Sequence, residues 1–165
     1  MESLLLSLYE ILKLQNEKVI ELKEVAQEHN LAMQKNDIET ILTVVKRQES
    51  LILLLAQQDK KREAVQEQLA KHLGGVEGNP TLSQLLEKSP ESKAKSELIR
   101  MAEKSKENLK ALNELNQLNN VLARRGLIFS QQLRNLIQPR DGNTYQGTGE
   151  IKTQDKVISV INRTI

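Results

Sequence analysis

The stretch SPESKAKSELIRMAEKSKENLKALNELNQLNNVLARRGLIFSQQLRNLIQP, residues 89–139, decides the fold class. Its large apolar side chains recur in alternating steps of three and four residues, which places them on one side of an α-helix. They are Leu98, Met101, Leu112, Leu115, Leu122, Phe129, Leu133 and Leu136. Ser89, Pro90 and Glu91 supply a hydroxyl cap, a proline at the first helical position and an acid near the positive helix end. Because Pro139 cannot continue a helix, the pattern predicts one long helix over residues 90–138.

Two further long helices are predicted upstream, because residues 1–73 contain neither Gly nor Pro. Apolar residues keep helical spacing through this region, although Asp59 and Arg62 occupy core-type positions and interrupt the pattern. Asn36 is a candidate helix cap, and Glu39, three residues later, has the spacing of a capping box. The sequence therefore predicts helices over residues 3–35 and 36–73.

The main break in the chain lies between residues 74 and 90, where three of the seven glycines and two of the three prolines cluster. Within it, Thr81 and Gln84 have capping-box spacing, and Leu82, Leu85 and Leu86 share one face. We predict a short helix over residues 81–87 that caps one end of a helical bundle.

These elements predict an all-α fold: an antiparallel bundle of three long helices with coiled-coil-like packing, a short linker helix and a flexible C-terminal tail. The bundle would span residues 1–138 and the tail 139–165. At about 1.5 Å per residue, a second helix of about 57 Å would lie against a third of about 70 Å. The end of the third helix would then lack an intramolecular partner, and its apolar side chains are a candidate binding surface.

Composition excludes several classes of function. The chain has 24 Lys and Arg against 22 Asp and Glu, interspersed, so no basic stripe predicts binding to nucleic acid. It has no Cys and therefore no disulfide framework or thiolate metal site. Its longest apolar run, Leu51 to Ala56, is too short to cross a bilayer, and its first residues lack a signal-peptide pattern. We expect a soluble cytoplasmic protein without membrane insertion.

No motif in the chain predicts catalysis. His29 and His72 stand alone, without acidic or second-histidine ligands at metal spacing, and no glycine-rich loop follows a strand. Acidic residues such as Glu21 and Glu24 alternate with lysines, as on a solvated helix face. We predict that the protein is not an enzyme and binds neither a metal nor a cofactor.

Two residues carry alternative interpretations. Asn119 falls on a core-type position, where a buried amide fixes helix register; direct contact with a partner is the alternative. Tyr145 stands alone among small and polar residues of the predicted tail. It either has no role or anchors a docking peptide through its large, rigid ring.

Several short segments give the chain a resemblance to the FlgN-type flagellar export chaperones, small cytoplasmic helical proteins. They are Glu28, Leu31-Ala32 and Asn36-Asp37-Ile38, then Thr81-Leu82-Ser83-Gln84-Leu85-Leu86, then Asn116-Gln117-Leu118-Asn119-Asn120-Val121-Leu122, and finally Thr144-Tyr145-Gln146-Gly147-Thr148-Gly149. Their order and spacing extend over the whole chain. Asn36 is a departure, because relatives often have Gly before the Asp.

The resemblance implies a chaperone that binds hook-filament junction (hook-associated) proteins, prevents their premature aggregation and delivers them to the flagellar type III export gate, with the export ATPase as a further partner. It places client binding at the end of the last helix and in the tail, and associates a tyrosine, here Tyr145, with docking on the gate. The predicted client-binding residues are therefore Leu122, Phe129, Leu133, Leu136, Ile137, Val157, Ile158, Val160 and Ile161.

A self-associating coiled-coil scaffold or tether is the alternative function. A scaffold should assemble alone and show a concentration-dependent mass, whereas a chaperone should stay small until a client is added. The interrupted apolar pattern at Asp59, Arg62, Ser105 and Asn108 favours packing on a partner over uniform self-pairing.

Overall fold

The structure is a computed structural model that describes residues 1–74 and 80–137. Within these ranges the chain forms α1 (Glu2–Lys35), α2 (Ile38–His72), α3 (Leu82–Lys88) and α4 (Lys93–Ile137), and no strand. The predicted all-α class, with three long helices that pack together and one short helix, is confirmed. The chain divides into two compact units, Met1–Arg124 and Arg125–Ile165. The predicted tail, residues 139–165, lies outside the described residues.

Two apolar clusters hold the first unit together. In one, the start of α1 packs against the end of α2, against α3 and against the start of α4; it comprises Leu5, Leu8, Leu12, Leu69, Ala70, Leu85, Leu86, Ala94 and Leu98. The other joins the second half of α1 to the first half of α2 and the middle of α4, through Val19, Leu22, Val25, Ala26, Val44, Leu51 and Leu112. These pairings make α2 antiparallel to both α1 and α4.

The three long helices are unequally spaced. The backbones of α1 and α2 approach closely along their length, whereas α4, over the described part of the chain, stands further from both. At the surface, Arg47 on α2 links α2 to α1, with its guanidinium 3.4 Å from Glu21 and 3.8 Å from Glu28. The α4 helix is held through side chains, which include buried amides described below.

The corner between α1 and α2 forms one residue later than predicted. Asn36 does not cap the second helix; it ends the first, in a left-handed conformation with φ 53°. The N–H of Asp37 donates to the carbonyl of Ala32 at 3.0 Å, which is the Schellman arrangement that follows a left-handed residue. Asp37 is the cap of α2, and its carboxylate accepts from the N–H of Thr40 at 3.1 Å. Because glycine and asparagine tolerate this conformation best, the structure explains why either residue suits position 36.

The short helix α3 confirms the predicted capping box. Gln84 N–H donates to the Thr81 hydroxyl at 3.4 Å, and Thr81 N–H donates to the Gln84 side chain at 2.9 Å. Leu85 and Leu86 are buried in the first cluster, so α3 closes that end of the core.

The predicted start of the last helix at Ser89 is wrong. Ser89 ends α3, where its hydroxyl donates to the Leu85 carbonyl at 2.7 Å. Ser92 takes the capping role, because its hydroxyl accepts from the N–H of Lys95 at 3.2 Å. The buried Lys95 side chain then reaches back to the Ser89 carbonyl at 3.0 Å and to Glu91 at 2.6 Å. Two hydroxyl residues three positions apart both satisfy the sequence rule, and packing of α3 decides between them.

Candidate functional site

The last part of α4 is an exposed apolar helix. Every residue from Arg125 to Ile137 is exposed. Phe129 is 63% exposed, Leu133 45%, Leu136 83% and Ile137 72%. Steps of four, three and one residue place these four side chains on one side of a helix with 3.6 residues per turn. Residues of this size are usually buried, so such a face is a candidate protein-binding surface.

The charge on this helix has one sign. Among residues 125–137, Arg125 and Arg134 are charged and no acidic residue occurs. An apolar face flanked by arginines fits a partner helix with apolar and acidic side chains. Gly126 lies at the start of this segment, and a Cβ added there would meet nothing within 4 Å, so no other helix of the described residues approaches it closely.

The structure therefore brings together four of the nine predicted client-binding residues: Phe129, Leu133, Leu136 and Ile137. Leu122 lies in the first unit, where it is half-buried. The remaining predicted residues, Val157, Ile158, Val160 and Ile161, and the predicted docking residue Tyr145 lie outside the described residues.

Asn119 is part of the interface between α1 and α4. Its side chain is 6% exposed; its amide nitrogen donates to the Ala26 carbonyl at 2.8 Å, and its oxygen accepts from the Asn30 amide at 2.7 Å. A second amide pair, in which Asn108 donates to Asn16 at 2.8 Å, joins the same two helices. This burial supports the interpretation of Asn119 as a register device, because its polar atoms are used within the fold.

A groove between α2 and α4 is a feature that sequence reasoning missed. It lies within the first unit, has a volume of about 600 Å³, and α1 forms its floor. Its walls include Ile52, Leu55, Ala56, Asp59 and Arg62 from α2, and Ala102, Ser105, Lys106 and Leu109 from α4. The available signal was the interruption of the apolar pattern at Asp59, Arg62 and Ser105, which coincides with the groove.

Three carboxyl groups among the described residues have a pKa below the usual range. The main cause in each case is a hydrogen bond that the carboxylate accepts: Glu21 from Lys18, Asp37 from Thr40 and Glu67 from Lys71.

Within residues 1–74 and 80–137, no three His, Asp or Glu side chains are placed to hold a metal ion. None of the described helices is both long enough and apolar enough to cross a bilayer.

A family model described as FlgN protein matches residues 1–153 of the chain. Comparisons with curated proteins and with solved structures give no significant match.

Proposed function

Because the chain belongs to the FlgN protein family, the flagellar export chaperones, we propose that it binds hook-filament junction proteins and delivers them to the flagellar export gate. The family match over residues 1–153 carries the proposal, and the exposed apolar end of α4 supports it. The work of such a chaperone is to cover aggregation-prone apolar surface on its client. No nucleotide is required for that step, since burial of apolar surface supplies the free energy.

We assign client binding to Phe129, Leu133, Leu136 and Ile137. A helix from the client that buries this face would remove large apolar side chains on both proteins from water. Aromatic residues in the centre of such a contact carry a large share of the binding energy. Phe129, with three aliphatic neighbours on the same helix face, is therefore the residue that we expect to matter most. The tail residues Val157, Ile158, Val160 and Ile161 are proposed to extend this contact.

The test compares Phe129→Asp with Leu53→Asp. Leu53 on α2 is 66% exposed, close to the 63% of Phe129, so the two substitutions perturb the fold equally little. With a hook-filament junction protein of the same organism as client, we expect Phe129→Asp to weaken binding by about tenfold or more in isothermal titration calorimetry. Leu53→Asp should bind as wild type does, and both variants should keep the helical circular dichroism spectrum. Equal affinities of the two variants would remove the end of α4 from the client site.

Gate docking is assigned separately to Tyr145. In a flagellated strain, Tyr145→Ala should reduce secretion of the client while its affinity for the client stays unchanged, because the tyrosine is proposed to contact the export gate. Tyr145→Phe is the matched control, since it keeps the ring that supplies the contact area. Normal secretion by Tyr145→Ala would refute this assignment. Partnership with the export ATPase and a cytoplasmic location belong to the same proposal.

A further inference from the structure

The groove between α2 and α4 is long enough to hold a short helix. Its α2 wall runs from Ile52 to Arg62, about 15 Å, and its α4 wall from Ala102 to Leu109, about 10 Å, at 1.5 Å per residue. It therefore matches two to three helical turns. Leu82 lies at its lining as well, and Leu12 and Val19 of α1 contribute apolar floor. Three helices that leave such a groove can complete a four-helix arrangement with one more amphipathic helix.

Ser105 in the groove wall carries a buried hydroxyl without a hydrogen-bond partner. The residue is 8% exposed, and its hydroxyl is the one buried side-chain polar atom, among the described residues, that has no hydrogen-bond partner. Other helical serines behave differently: the hydroxyls of Ser7, Ser50 and Ser96 donate to the carbonyl four residues back. A buried hydroxyl without a partner destabilises a fold. The oxygen is closed to solvent, so the packing of this part of the groove wall is incomplete in the chain alone.

The charged side chains that line the groove do not cancel completely. Asp59 and Arg62 neutralise each other, with a guanidinium nitrogen 2.7 Å from the carboxylate, and the Gln15 amide donates to Asp59 as well at 3.5 Å. Lys106 is exposed and forms no ion pair within the described residues. The groove thus offers one uncompensated positive charge on its α4 wall. An occupant with a carboxylate on that side gains an ion pair, whereas a basic one is repelled.

We propose that this groove binds one amphipathic helix of the exported protein, with apolar side chains against α1 and a carboxylate facing Lys106. The inference rests on the proposed function, because the helix is assigned to the exported protein. It adds a second contact on the first unit to the one assigned to the end of α4. Two contacts on one client raise the overall affinity without either being strong alone.

The test uses stapled helical peptides of about 15 residues, a length near the limit for helices in water, which the staple overcomes. Both peptides carry leucines at positions i, i+3, i+4 and i+7; one has Glu on its flanks and the other has Lys. In fluorescence anisotropy with the full chain at low salt, we expect the Glu peptide to bind about threefold or more tightly than the Lys peptide. Lys106→Glu should reverse this preference. Lys110→Glu, one turn further along α4 and not in the groove, should shift the preference less than Lys106→Glu does, because its charge lies further from the bound peptide.

A second pair of variants tests whether the peptides bind in the groove. Ala56→Trp fills the groove and should abolish binding of both peptides, whereas Ala64→Trp, also exposed on α2 but outside the groove, should bind them as wild type does. Wild-type binding by Ala56→Trp, or a charge preference that ignores Lys106→Glu, would overturn the proposal. A dimer in sedimentation equilibrium that Ala56→Trp dissociates would assign the groove to a second copy of the chain and overturn it too. These assays contain no flagellar client, so their failure is separate from a failure of the Phe129→Asp experiment.

Discussion

Replacement of Asn119 by alanine should destabilise the first unit strongly, because the substitution removes two buried hydrogen bonds between α1 and α4. These are the bonds to the Ala26 carbonyl and from the Asn30 amide, at 2.8 and 2.7 Å. Each typical hydrogen bond contributes about 0.5–1.5 kcal/mol net. The Asn30 amide would also lose its partner in a site that is 8% exposed, which adds a desolvation penalty of about 1–3 kcal/mol. We expect a loss of about 2–6 kcal/mol in the free energy of unfolding.

Urea unfolding followed by circular dichroism at the helix band measures this loss. Asn116→Ala is the matched control, because Asn116 is exposed on the same helix and should change the free energy of unfolding by no more than about 0.5 kcal/mol. The double variant Asn30→Ala/Asn119→Ala should lose less than the sum of the single variants, since the first substitution already removes their common bond. A loss below about 1 kcal/mol for Asn119→Ala, or strict additivity, would refute the reasoning.

Three further predictions concern local structure, each measured by thermal unfolding. Asn36→Ala should cost about 1 kcal/mol because of its left-handed backbone, whereas Asn36→Gly should match wild type; equal stability of both variants would contradict this. Asp37→Ala should destabilise the fold near neutral pH. Because the hydrogen bond from Thr40 lowers the Asp37 pKa below 3.8, the difference from wild type should persist above pH 3.8 and vanish as pH falls through the folded-state pKa; a pH-independent difference would refute it. Gly126→Ala should stabilise α4 by about 1 kcal/mol, since the added Cβ meets nothing, and a loss would reveal an unseen contact.

Periodicity and turn chemistry were enough to predict the helices, because each long helix repeats its apolar residues and the breaks contain Gly and Pro. The Thr81 capping box was predictable since both partners lie within four residues. The corner at Asn36 and the start of α4 were misplaced by one to three residues. In both places two nearby candidates satisfy the same local rule. At the second, Ser89 is used to end α3, where its hydroxyl donates to the Leu85 carbonyl, and Ser92 is left to cap α4.

The groove was not predictable in the same way. Sequence spacing marks Asp59 and Arg62 as misfits in an apolar pattern, but it does not report how far α2 and α4 stand apart. The distance between α2 and α4 depends on how side chains of all three long helices pack at once, and sequence spacing describes each helix only by itself. The exposed face of Phe129, Leu133 and Leu136 was predicted because it depends only on comparing helix lengths.

The amide pairs of α1 and α4 also set an alignment. Asn16 meets Asn108, and Asn30 meets Asn119, so the two pairs stand about 16 Å apart along α4 at 1.5 Å per residue. Leucines repeat often enough for α4 to slide by one heptad and still bury apolar surface. A heptad slide would bring Met101 or Leu115 opposite Asn16. Leu115 has no hydrogen-bonding group in its side chain, and the Met101 thioether is only a weak acceptor. The two asparagine pairs thus specify one register of α4 against α1, among several that leucine packing alone would allow.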